Sequence, residues 1–346
     1  MLHNFATGER VYANPRVCEL LDQLGEWRSV ASVAAGRSRP EAQAIKALLN
    51  ELARRSFLER SDWPSPPAAR ALAQWGAWNP AAGFFHMSTK DVPYEHDVAA
   101  GERRLRRQAA VDPMPPAVKS YSNARKYPLP RARTDGELPR VLLERRTWRH
   151  FSRRALDLGS LATLLGLTWG VQQWSTVRGQ GRVSLKTSPS GGARHPIEAY
   201  VLVLRVRDLP RGLYHYAADC HALERLSDRA TSRQIVKYCA GQSWYGPAAA
   251  VVIMTAVFAR EQWRYRGPRA YRAVLLDAGH LCQTFCLVAT WLDLAPFCTM
   301  AVADSLIEHD LGIDGVSESA LYLAGVGTRP AAGWSTRLQR QSLRRV

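Results

Sequence analysis

Three guanidiniums and a hydroxyl fall within five residues at Arg145, Arg146, Thr147 and Arg149, in the run Arg145-Arg146-Thr147-Trp148-Arg149-His150-Phe151. Guanidinium forks grip phosphate oxygens in pairs, so this run suits an anionic ligand, although a solvated charged face has the same composition. A second run, Thr187-Ser188-Pro189-Ser190-Gly191-Gly192-Ala193-Arg194-His195-Pro196, is built largely of small residues and leads into a strand expected from Glu198. Adjacent glycines let backbone amides approach a flat or anionic ligand closely; an ordinary turn is the plainer reading. Two other groupings lack the spacing their chemistry needs. Ser190 with His195 and Asp277 has no G-x-S-x-G elbow, and His215, Cys220 and His221 offer no paired ligand set, so neither a hydrolase triad nor a metal site is expected. The carboxylates show no acid and base pairing. Cys282 and Cys286 share one face of a long helix, where core packing explains them.

The elements that must position these runs begin near residue 141. Helix is expected over Leu156–Leu167, strand over Glu198–Val206, a hairpin over Leu213–Leu226, helix over Ala230–Cys239 and strand over Ala248–Phe258. A long helix over Tyr271–Leu292 follows, then strand (Phe297–Val302), helix (Asp304–Leu311) and strand (Ala320–Val326). This order gives an α+β domain over residues 141–330. The long helix is apolar almost all round, which places it through the middle of the domain or at a dimer interface. Asp304 is expected to cap its helix at the N-terminus and Gly312 to end it.

Residues 1–62 read as a separate, winged-helix-like unit. Val11, Val17, Leu20, Leu21 and Leu24 recur at helical spacing, Arg39-Pro40-Glu41 opens a second helix, and Ser56-Phe57-Leu58-Glu59 is expected to enter a small strand. Such a unit holds either DNA or a peptide. Residues 63–140 form a linker with an ordered aromatic middle; from Asp62 to Arg140 lie 11 of the 20 prolines, so long helices are not expected there.

Two segments hold +16 of the net charge of +17. Residues 103–154 carry 15 basic and 4 acidic groups, and residues 329–346 carry 5 and none, leaving the rest of the chain close to neutral. The 331–346 tail is therefore a basic appendage. A near-neutral winged-helix unit argues against DNA, because phosphate neutralisation supplies nearly all non-specific affinity. The sequence shows no run of 18 uncharged apolar residues and no secretory signal, so a cytoplasmic protein without a membrane span is expected. Six scattered cysteines without a CxxC pair stay reduced there.

These runs together carry a resemblance. Arg145 to Phe151 is similar to the R-R-S-x-R-x-F opening of the nitroreductase superfamily. TSPSGGARHPIEAY (Thr187 to Tyr200), Tyr214-His215-Tyr216 with Leu223-Glu224, LLDAGHLCQ (Leu275 to Gln283) and LYLAGVG (Leu321 to Gly327) resemble its SagB-type branch, the flavin-dependent dehydrogenases of peptide natural-product maturation. The segment from Trp78 to Tyr94 resembles members with an N-terminal extension. The resemblance implies a homodimeric, nitroreductase-like FMN-binding fold, with a central antiparallel sheet flanked by helices. It implies that Arg145, Thr147 and Arg149, with Arg146 as an additional candidate, hold the FMN phosphate and ribityl chain. Pro189, Ser190, Gly191, Gly192 and Ala193 would lie along the isoalloxazine, backbone amides around Cys298 and Thr299 would face flavin N5, and Arg329 would return to the phosphate.

One position departs from that branch's azoline oxidases, which carry a Lys-Tyr pair before the central helix. Here the place reads Trp263-Arg264-Tyr265. Arginine stays protonated and cannot be the base, so Tyr265 is expected to relay the proton while Arg264 tunes it or orients the substrate carbonyl. The expected function is a two-electron oxidation of an azoline ring or residue in a ribosomally made peptide. The expected partners are a precursor peptide, docked through an acidic leader, and a cyclodehydratase or other maturation enzyme. The alternatives are an NAD(P)H-dependent nitroreductase or flavin reductase, a ligand-sensing DNA regulator, and a non-catalytic scaffold.

Overall fold

The computed structural model describes residues 1–330, apart from 66, 96, 113, 120–124 and 131. The basic tail at 331–346 lies outside the described residues. The chain forms two compact units. One comprises Met1–Lys90 with Glu261–Arg272, the other Asp91–Arg260 with the residues from Ala273 on.

The first unit opens with two short paired strands, β1 (Leu2–His3) and β2 (Arg10–Val11), followed by α1 (Pro15–Asp22), α2 (Val30–Val33) and α3 (Arg39–Arg54). The last of these starts where proline suits the first turn, behind a capping box of Ser38 and Glu41, and buries Leu49, Leu52 and Ala53. The strand expected at Ser56–Glu59 does not form. Ser56 takes a left-handed φ of 59° and the Phe57 N–H returns to the Leu52 carbonyl, so this segment is spent closing α3. Two short helices, α4 (Pro67–Ala73) and α5 (Ala81–Ser88), complete the run. Trp75, Trp78, His86 and Tyr271 cluster there, with Trp75 and Trp78 edge to face at 5.9 Å and His86 Nδ1 2.9 Å from the Tyr271 hydroxyl.

The second unit contains a helix that proline content seemed to forbid, α6 (Val98–Val111). Its fourteen residues contain no proline, and the Asp97 side chain caps it by accepting from the Ala99 N–H at 2.9 Å. The prolines of residues 62–140 lie on either side of this good helix-forming run. After α7 (Glu137–Glu144) and α8 (Leu158–Thr168) comes a hairpin, β3 (Gln173–Val177) and β4 (Gly181–Leu185).

The core sheet follows: β5 (Ile197–Val203), β6 (Gly212–Ala217), β7 (Ala222–Ser227), α9 (Ser232–Tyr238), β8 (Ala250–Val257), α10 (Phe258–Arg264), α11 (Tyr271–Trp291), β9 (Leu294–Thr299), α12 (Asp304–Leu311) and β10 (Glu318–Thr328). Six strands pair antiparallel in the order β7-β6-β5-β8-β10-β9. β8 sits inside, and from Ala250 to Ala256 every residue is buried, which explains its unbroken apolar run. Along α11 the buried face includes Val274, Ala278, Leu281, Phe285 and Ala289, while Leu276 is exposed. The helix is long and apolar enough to cross a membrane by length and composition, and it serves here as the domain's core helix.

Two glycines in β10 are set by their neighbours. A Cβ on Gly325 would stand 2.2 Å from the Phe297 ring, and one on Gly327 would stand 2.7 Å from the Phe151 ring. Phe297 in turn stacks on Tyr245 at 3.8 Å, fixing the ring that excludes the side chain. At α12, Gly312 ends the helix in the left-handed conformation, as expected, but Asp304 is its first helical residue rather than its cap. Asp91 covers that end instead, accepting from the Ser305 N–H at 3.1 Å.

Candidate functional site

The arginine run passes the edge strand β9 as irregular backbone immediately after α7. Its course is fixed at two points: Trp148 N–H donates to the Pro296 carbonyl at 2.9 Å, and Ser152 N–H to the Thr328 carbonyl at 2.9 Å. Arg145 and Arg149 are therefore carried beside β9 and β10. Neither has a carboxylate partner among the described residues, and their charges act on Cys298 and Tyr245 respectively. Arg145 and Thr147 are half-buried, and Arg149 is exposed. Arg146 is used differently, its Nη1 donating to the carbonyls of Leu143 and Arg145, both at 2.7 Å. Arg329 is likewise engaged, holding the end of α11 through Leu294 O at 3.0 Å, Asp293 Oδ1 at 3.0 Å and Thr290 O at 3.3 Å.

The glycine run is a tight turn held from two helices. Thr187 Oγ1 donates to Leu167 O at 2.6 Å, Ser188 Oγ and Thr284 Oγ1 lie 2.7 Å apart, and His280 Nδ1 reaches Pro189 O at 3.3 Å. Gly192 has φ 56°, which glycine adopts freely, and Ala193 and His195 follow at 54° and 44°. The turn is held by its own amides, Ala193 N–H donating to Ser190 O and Arg194 N–H to Gly191 O, both at 3.1 Å, so Gly192 supplies a face without a side chain rather than a set of free donors. Ser190 Oγ accepts from the His195 backbone N–H at 2.8 Å, while the His195 ring bonds to Ser184 O, so Ser190 and His195 make no nucleophile and base pair.

Beneath the turn lies Asp277 of α11, a residue whose positioning role the sequence did not reveal. It is buried, and burial raises its carboxyl above the usual range against the opposing bonds from the Ser190 hydroxyl and the Gly191 N–H. Its Oδ2 has no hydrogen-bond partner among the described residues. Nearby on the sheet, His215 bridges Glu198 at 2.9 Å and Glu224 at 2.7 Å, and Arg260 also pairs with Glu198. Hydrogen bonding to Glu198 is the main reason His215 is raised to about 9. Burial would raise Glu198, but His215 and Arg260 hold it at about 2. His221 bonds the Tyr216 hydroxyl at 2.6 Å, so the two histidines are separately engaged.

On β9, Cys298 is partly exposed and Thr299 is buried, its Oγ1 accepting from Gln242 at 2.9 Å and from the Ala301 N–H at 3.1 Å. Arg264 and Tyr265 belong to the first unit. Trp78 Nε1 donates to the Tyr265 carbonyl at 2.7 Å, fixing its backbone, and the Arg264 guanidinium stands 5.4 Å from the Tyr265 ring centre.

The antiparallel α+β domain thus presents two guanidiniums with no carboxylate partner among the described residues on one segment and a side-chain-free glycine turn on another. The profile of the nitroreductase family matches residues 142–328, and the chain belongs to that family. It is 36% identical over 140 residues to the trifolitoxin-processing protein TfxB of Rhizobium leguminosarum bv. trifolii, spanning 39% of this chain and 38% of TfxB. It is 32% identical over 193 residues to MJ1384 of Methanocaldococcus jannaschii, a protein classed as a nitroreductase, spanning 56% of this chain and 91% of that one. A solved structure from Anabaena variabilis, classed likewise, shares 29% identity with a TM-score of 0.48, covering 56% of this chain and 38% of that chain.

Members of this family bind flavin, and the residues present fit such a group. Unpaired guanidiniums suit a phosphate, the Gly191–Gly192 turn leaves no Cβ between its backbone and a flat ring, and the turn is anchored from below.

Proposed function

We propose that this protein is an FMN-dependent dehydrogenase that removes two electrons from a ring or residue of a ribosomally made peptide. The observation that carries the cofactor reading is the pair of guanidiniums, Arg145 and Arg149, held beside β9 without a carboxylate partner among the described residues. Bound FMN supplies the two-electron acceptor. Arg145 and Arg149 would hold its phosphate with a hydroxyl from Thr147, the Pro189, Ser190, Gly191, Gly192 and Ala193 turn would lie along the ring, and the backbone amides of Cys298 and Thr299 would face its reactive edge. Arg146 and Arg329 support the site through the carbonyls they fasten.

Tyr265 Oη relays the proton that leaves the substrate carbon, and Arg264, always cationic, orients a substrate carbonyl. The peptide substrate is supported by the likeness to TfxB, a trifolitoxin-processing protein. A dedicated maturation enzyme of this kind works in the cytoplasm with a partner such as a cyclodehydratase, and the first unit receives the leader. A second copy completes the assembly: Leu275, Leu276 and Trp291 of α11 and Leu138 and Leu142 of α7 are exposed apolar side chains of the kind a homodimer covers.

The test is to incubate FMN-loaded protein with precursor peptides encoded beside its gene. Loss of two hydrogens from a peptide, with reduction of the flavin, is the expected result. Rapid bleaching of the flavin by NAD(P)H, with every peptide left unchanged, would replace this reading with that of a small-molecule nitroreductase.

A further inference from the structure

Half of the cysteines converge on one point. Cys282 and Cys286 stand four residues apart on α11, which puts both on one helical face, and Cys298 meets them from β9. The three Sγ atoms all lie within 4.8 Å of one another. Cys282 and Cys286 are buried, Cys298 is partly exposed, and none of the three is in a disulfide. Packing accounts for each cysteine singly, since a thiol fills core space much as an alkyl group does. It does not account for three sulfurs from two elements pointing at a common centre.

Three sulfurs at that separation suit a metal ion. With metal–sulfur bonds of about 2.3 Å, ligating sulfurs stand about 4 Å apart, so an inward shift of less than about 1 Å closes the ring. No histidine or carboxylate among the described residues joins the group. An all-thiolate donor set selects soft ions over magnesium, calcium or manganese. Three sulfurs satisfy a three-coordinate d10 cation, the Tyr322 hydroxyl lies beside Cys298, and the guanidinium of Arg145, close enough to act on Cys286 and Cys298, offsets the negative charge that the thiolates bring.

We propose that Cys282, Cys286 and Cys298 form a binding site for one thiophilic d10 ion, monovalent copper being the ion that three sulfurs satisfy. Binding displaces the thiol protons to solvent and transfers no electrons. The site uses side-chain sulfurs and shares Arg145 and the Cys298 position with the flavin reading, while metal content reports on it separately.

The test uses reduced full-length protein given monovalent copper anaerobically, then desalted in the presence of a copper(I) chelator, with metal per chain measured by mass spectrometry. About one copper per chain is expected in the wild type and in Cys239→Ser, a buried cysteine outside the group, with a loss of about tenfold or more in Cys282→Ser and Cys286→Ser. If the serine variants fail to fold, alkylation of the wild type decides. Copper loading should protect Cys298 while the exposed Cys18 and Cys220 still react. No retained copper, retention in Cys282→Ser and Cys286→Ser equal to the wild type, protection only at Cys18 or Cys220, or a disulfide among the three in place of metal uptake would overturn the proposal.

Discussion

The Trp148 N–H donates to the Pro296 carbonyl at 2.9 Å, so the arginine run is fastened to the strand that carries Cys298 two residues on. Arg145 and Arg149 lie either side of that bond. Arg145→Ala and Arg149→Ala should each weaken FMN retention roughly tenfold to a hundredfold, the loss of one charge-assisted phosphate contact, with far-UV circular dichroism unchanged. Absorbance or fluorescence titration with FMN measures this. Unchanged affinity in both variants would remove them from the phosphate site.

Asp277 supports the glycine turn from below through Ser190 and Gly191. Asp277→Ala leaves both donors unsatisfied at a cost of about 1–3 kcal/mol, and the looser turn should release FMN faster than in the wild type. Asp277→Asn keeps an acceptor and should fall between the two. Stopped-flow dissociation of FMN from the three proteins gives the order.

Tyr265→Phe keeps the ring and removes the hydroxyl. The variant should bind FMN as the wild type does and lose peptide oxidation by about a hundredfold or more, the scale of general acid and base catalysis. Full turnover would assign the proton to another group.

Gly325→Ala drives a methyl into the Phe297 ring, which Tyr245 holds by stacking. Overpacking a rigid core position costs about 1–3 kcal/mol, which lowers Tm by about 2–10 °C in a domain of this size. Phe297→Leu in the same background should recover part of the loss, as read by thermal denaturation.

His215 gives the sheet a pH dependence of fixed sign. Its folded value of about 9 lies above the unfolded value near 6.5, so its contribution is complete below about 6.5 and is lost as pH rises through about 9. Glu198, held at about 2, keeps its own contribution down to strongly acid pH. Tm should therefore fall between about pH 7 and about pH 9.5, and His215→Gln should flatten the fall.

Much of the second unit was legible because its periodicities are strong and its turns are marked. The β8 run from Ala250 has no polar interruption before Thr255, and α12 is bounded as its sequence indicates. Arg145, Gly191 and Gly192 stood out by type and spacing alone. The hairpin of β3 and β4 did not, because its residues are mostly exposed and Trp174 is covered by Arg182 rather than by the core. The helix α6 was hidden by averaging proline over a segment whose prolines lie outside it. Asp277 and the Cys282, Cys286 and Cys298 group were illegible for a different reason. Each meaning arises when α11 is laid beside a distant loop or strand, and no local spacing encodes that.

The visible absorption spectrum of the purified protein, with mass analysis of whatever denaturation releases, tests the central claim most directly. The account predicts flavin bands and release of FMN. A colourless protein that also fails to take up added FMN would contradict it.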